Sequence, residues 1–215
     1  MGIRILLTIL SGGMSFAAPP VATSRSTVGV FLRFERPDSP SFTRRLERDV
    51  AAIFRPAGVD LVFPRPQDGT RDYHRVVIVE MRGHCTSWRA AEVSGEAEAA
   101  PLGWTRLNAD GQVMPFAMLD CDQVARAARR ANRLHGPLGH FSTFSRLAAR
   151  VMAHELVHAL LRTAEHRQTD CGRAQLRQAD ALDQARLDPS EIAALREIGR
   201  PSFGVAVAEK TTGGQ

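Results

Sequence analysis

The chain has 215 residues, 44% of them hydrophobic, which suits one globular domain with its own core and argues against wholesale disorder. Net charge is +5 and Lys210 is the only lysine, but the arginines are scattered among acids with no dense, aromatic-laced stripe, so nucleic-acid binding is not expected. The tightest arginine cluster, ARAARRANR at 125–133, reads as the solvated face of an amphipathic helix.

In chain order, residues 1–18 have the form of an export signal. Arg4 gives the positive start, ILLTIL the apolar segment, and Ser15 and Ala17 the small residues before cleavage near Ala17 or Ala18. That run is too short to span a bilayer and no later segment qualifies, so a soluble, secreted or periplasmic protein without stable membrane insertion is expected. Three cysteines in an exported chain imply one disulfide and one spare thiol.

A single domain is expected over 26–200, with a loose tail at 201–215. STVGVFLRF is rich in β-branched and aromatic residues and reads as a strand. In SFTRRLERDVAAIFRPAG the apolar Phe42, Leu46, Val50 and Ile53 recur at helical spacing, and Pro56 and Gly58 stop the helix. VDLVF is a second strand. HRVVIVEMRG is the clearest strand, and its unbroken run from Val76 to Val79 predicts burial on both faces. An Ala/Glu/Gly-rich stretch at 86–100 reads as a surface loop. LGWTRL and VMPFAMLDC are two more strands joined by the turn NADG. CDQVARAARRANRL is a helix, HGPLGHFS a break, and a long apolar helix follows over 143–161. The chain is then polar and irregular to Asp180. LDPSEIAALREIG closes the domain as a helix with Asp188 at its N-cap, Pro189 at its first position, Glu191 in its first turn and Gly199 as its stop. The fold class this order implies is α+β: a mixed, twisted sheet, the long helix on one face, and a small helical C-terminal part.

The chemistry is concentrated in RVMAHELVHALLRTAEHRQTDCG, residues 150–172. His154 and His158 are four apart, so a helix places both imidazoles on one face, one turn from each other. Two ring nitrogens can then converge on one zinc ion at about 2.0–2.1 Å each. Glu155 is rotated about 100° from His154. It is poorly placed as a ligand of the same ion and well placed as general base toward a water activated there. Leu147, Val151, Leu156, Leu160 and Leu161 make the rest of this helix apolar, and a buried helix must satisfy its two histidines and its glutamate. A metal does so. The plainer alternative is a pair of core histidines bonded to backbone with Glu155 in an ion pair.

Over AHELVHALLRTAEH the chain resembles the zincin metallopeptidases, and the order of its elements over residues 26–162 is similar to the metzincin branch. The family pattern departs after the second histidine. Metzincins carry a glycine three residues on and a third histidine three beyond it, where this chain has Leu161 and Ala164; its third histidine is His166. No methionine follows the motif, so the family's Met-turn is absent in its usual form. The late T-x-x-H is more similar to small secreted bacterial HExxH proteins of undefined activity. The resemblance implies a metallopeptidase with Zn2+ held by His154, His158 and His166, Glu155 as base, a peptide or protein substrate, and a monomer.

An unbroken helix carries His166 roughly 12 Å beyond His158 at 1.5 Å per residue, so the chain has to turn between Arg162 and Glu165 for His166 to serve. Rival third ligands are Glu165, Asp170, Asp180, Asp183 and Glu191. The resemblance also makes the HRVVIVEMRG and VMPFAMLD strands parallel neighbours, and on that basis a Cys85–Cys121 disulfide is expected. Cys171 is then unpaired and is either a fourth ligand that closes the site or an inert or dimer-forming thiol. His74, His84, His135 and His140 have no ligand-like spacing. Trp104 either lines a cleft or is plain packing, and if its strand is the exposed edge above the site, a substrate peptide can add to it by backbone pairing. The competing functions are a secreted zinc endopeptidase, a non-catalytic zincin-like binding module, and a zinc hydrolase of a non-peptide amide.

Overall fold

Alternating apolar residues and one long apolar helix set the architecture. The computed structural model describes residues 26–69, 71–85, 100–135, 140–166 and 185–198. The expectations for 1–18, for 86–99, for Asp170, Cys171, Asp180, Asp183 and Gly199, and for the tail lie outside these residues, as do the side chains of His135 and His140.

Strands β1 (Ser26–Phe34), β2 (Val59–Val62), β3 (Arg75–Arg82), β4 (Gly103–Leu107) and β5 (Val113–Asp120) form one five-stranded sheet in the order β2-β1-β3-β5-β4. Every pairing is parallel except β4 with β5, so the sheet is mixed and β4 is an antiparallel edge. The hairpin joining β4 to β5 turns on Asn108, whose side chain accepts from the backbone N–H of Asp110 and of Gln112, with Gly111 at φ 75°.

Helices α1 (Pro40–Phe54), α2 (Cys121–His135) and α3 (His140–Leu161) pack together on the sheet. Phe42, Leu46, Val50 and Ile53 of α1 are buried at the spacing read from the sequence, and Phe42 stacks on Phe144 of α3 with ring centroids 5.1 Å apart. A 3-10 turn at Arg55–Ala57 and Gly58 at φ 70° end α1 where Pro56 and Gly58 were expected to. The long helix α3 begins three residues earlier than the pattern suggested and ends at Leu161 as expected.

Register fixes which sheet residues meet the helices. Val30 pairs with Val77, and Leu32, Val79 and Ala117 form a row beneath them. On the other face Phe31, Ile78 and Phe116 are aligned, and Phe31 and Phe116 are partly exposed. The expectation that β3 is buried on both faces is therefore corrected. Its burial alternates, and Val76 is 43% exposed. An unbroken valine–isoleucine run satisfies either environment, and the described helices cover only one face.

Helix α4 (Pro189–Ile198) packs on α3 and on the turn after α1, where Arg196 donates to the Pro56 carbonyl at 2.9 Å. Asp188 caps it as expected, accepting the Ser190 N–H at 2.7 Å. Glu191 reaches back to accept the Asp188 N–H at 2.8 Å, completing a capping box. The expected Cys85–Cys121 disulfide is formed. Arg82 and Asp120 are register partners at the ends of parallel β3 and β5, so the cysteines that follow sit side by side, Cα atoms 5.2 Å apart.

Candidate metal centre

Helix α3 carries His154 and His158 on one face, as the spacing of four requires. Their rings lie 4.5 Å apart between centroids, nearly perpendicular, and their Nε2 atoms are 3.0 Å from each other. Two nitrogens on one tetrahedral zinc ion stand about 3.3 Å apart, so this spacing fits a shared ion closely.

The helix ends in a way that sequence reading did not foresee. Arg162 takes the left-handed conformation, φ 52°, and the N–H of Thr163 reaches back to the His158 carbonyl at 3.3 Å. This is a Schellman-type stop, built here on an arginine where glycine is usual. The chain reverses, and His166 returns beneath the helix. Its ring centroid lies 5.2 Å from that of His154 and 4.8 Å from that of His158. The ligand atoms of all three histidines fall within 4.8 Å of one another. Among the described residues, Glu165 and Glu191 do not join this cluster: Glu165 is exposed, and the Glu191 carboxylate is engaged at the α4 cap.

Thr163 also fixes the proton on His158. Its carbonyl lies 2.7 Å from His158 Nδ1, and a carbonyl only accepts, so Nδ1 carries the hydrogen and Nε2 presents a lone pair to the cluster. Burial lowers the His158 pKa, the Thr163 bond acting against it and the nearby His166 adding to it, so the ring stays neutral below the usual imidazole range. Three imidazole donors, one with its tautomer set by an outer partner, are the donor set a borderline-soft divalent ion such as zinc takes.

Glu155 is only 5% exposed, next to these rings and off their face. Burial raises its carboxyl from the ordinary 4.5 to about 7, partly opposed by a hydrogen bond from the Thr105 hydroxyl to Oε2 at 2.7 Å. A cavity of about 360 Å³ opens over the site. Apolar Leu102, Leu107, Val113 and Val151 wall it; Glu155 and the three histidines supply its titratable groups.

The strand expected to be the exposed edge, β4, is the sheet's edge and borders this cavity. Trp104 is among the residues bordering the cavity, and the Arg82 guanidinium sits 5.7 Å from the centre of its ring. His74 bonds to the backbone of β1. His84 stands between Asp122 and Arg36 near the disulfide. Sequence reading missed Thr105, since a threonine in a strand carries no signal until the register of β4 against α3 is known.

No family model matches the chain, and no curated protein matches it. Among solved structures, it is similar to an archaemetzincin from Methanopyrus kandleri at 11% identity, over 83% of this chain and 97% of that chain, with a TM-score of 0.42.

Proposed function

We propose that this chain is a secreted, zinc-dependent metallopeptidase, with His154, His158 and His166 as ligands and Glu155 as general base. The observation that carries the reading is the return of His166 to the two helical histidines beside a buried carboxylate, on the floor of an open cavity. Three histidines leave room in a four-coordinate site for a reactant, which is the pattern of catalytic rather than structural zinc.

When bound, zinc supplies Lewis acidity, acidifying a water and polarising a carbonyl. The chain's own groups do the rest. His158, neutral and held by Thr163, presents its Nε2 lone pair without first losing a proton. Glu155 takes the proton of the attacking water on its carboxylate and returns it to the leaving amine. In the metal-free chain burial raises this carboxyl to about 7, and a divalent cation bound beside it favours the ionised form that accepts the proton. The outer edge of β4 has no partner strand among the described residues, so an extended peptide can pair with its backbone over the cavity.

Export is supported by the signal-like N-terminus and by the disulfide, which persists in oxidising compartments. No helix of the described residues is long and apolar enough to cross a membrane. Metal analysis and a peptide-library digest of wild type and Glu155→Gln test the proposal together. The expected outcome is one zinc in both proteins, with cleavage falling at least 100-fold in the variant, the low end for loss of a general base. Cleavage by Glu155→Gln at the wild-type rate rules out the assigned base, and wild type that takes up no zinc rules out the metal chemistry.

A further inference from the structure

We infer that Thr105 is a positioning residue for the reaction: its hydroxyl fixes the Glu155 carboxylate against β4, so that the base and the strand bordering the cavity keep one relative position. This rests on the zinc-hydrolase reading above.

The geometry is specific. Thr105 Oγ1 lies 2.7 Å from Glu155 Oε2 and 3.2 Å from the Glu155 carbonyl oxygen. A hydroxyl has one proton, and the closer, carboxylate acceptor takes it. Glu155 lines the cavity with its stem packed against β4, and the Thr105 bond selects the rotamer that lays its head on the strand. The bond holds Oε2 at the strand and leaves Oε1 as the oxygen Thr105 does not touch.

The strand is shaped for this contact. Thr105 pairs with Ala117 and Gly103 with Leu119, so both point to the face packed by α3, whereas Trp104 between them points away. At Gly103 an added Cβ would lie 2.8 Å from Val151 Cγ1, 2.9 Å from the Met118 carbonyl and 3.1 Å from Glu155 Cγ. Gly103 therefore lets β4 approach the glutamate stem, and Thr105, two residues on, binds its head. An irregularity in the β4–β5 ladder falls between Thr105 and Leu107, and such bulges re-aim side chains beside sites.

The test compares full-length Thr105→Val, which keeps the shape and loses the hydroxyl, with Thr105→Ser, which keeps the hydroxyl. Both are expected to bind zinc as wild type does, since the histidines are untouched. Thr105→Val should lose roughly 10- to 100-fold in kcat with KM little changed, and Thr105→Ser should recover most of the loss. Crystal structures of the zinc-free proteins give a readout independent of turnover: Glu155 stays against β4 in wild type and Thr105→Ser, and is displaced or split in Thr105→Val. An undisplaced Glu155 in Thr105→Val overturns the inference, as does a wild-type kcat for that variant. If wild type neither binds zinc nor cleaves peptides, the functional reading falls, while displacement of Glu155 in Thr105→Val alone still supports the anchoring.

Discussion

Glu155 holds a carboxylate where water hardly reaches it, and that has a consequence for the metal-free protein. Burial raises its pKa from 4.5 to about 7, so the folded chain holds the proton more tightly than the unfolded one. The stability this contributes is fully present below about 4.5 and is lost as pH rises through about 7. His158 acts in the opposite sense, its lowered pKa costing stability as pH falls. Comparing wild type with Glu155→Gln isolates the carboxyl. In chelator-treated protein the Gln variant should gain on wild type by up to about 3 kcal/mol between pH 5 and pH 8, read from urea midpoints. A gap that stays flat with pH contradicts the burial assigned to Glu155.

The end of α3 is the element on which the third ligand depends. His154 and His158 were legible because their relation is local: four residues on a helix is one face. His166 was legible only as a requirement for a turn, since Leu161, Arg162 and Thr163 include none of the residues that usually force one. The structure supplies the turn by placing Arg162 at φ 52° and clasping Thr163 twice, through the His158 backbone carbonyl and through its ring. Neither bond can be read without coordinates. Arg162→Gly removes the left-handed strain and adds glycine's entropy cost, so it should leave stability within about 1 kcal/mol and zinc affinity unchanged. Arg162→Val, β-branched at positive φ, should be less stable than Arg162→Gly by about 1–2 kcal/mol and bind zinc more weakly. Thermal melts and zinc titration of the two variants separate these outcomes; equal behaviour would show that the turn does not hold the site.

Across the whole molecule, the strands and helices followed from apolar periodicity, whereas the Cys85–Cys121 bond was implied by the metzincin resemblance, which makes the strands of β3 and β5 parallel neighbours. The exposure of Val76 did not, because a run of valines says that a strand forms but not which faces acquire cover. Thr105 and Gly103 were hidden for a related reason: their roles come from the register of an edge strand against a helix some fifty residues away in the chain. The disulfide spans 36 residues, and removing it by paired Cys→Ala changes should cost about 4 kcal/mol through restored freedom of the unfolded chain. The folded fraction should keep its zinc, as the cysteines are not in the histidine cluster. Loss of zinc from protein that remains folded would place the bond in the site's own support.

One measurement bears most directly on the account: zinc content and metal-edge X-ray absorption of the purified protein and of His166→Ala. One zinc per chain with three imidazoles around it, and loss of most of that zinc in His166→Ala, is the predicted result. Undiminished zinc in His166→Ala, with the metal lost instead from Asp180→Ala or Glu191→Ala, would contradict it.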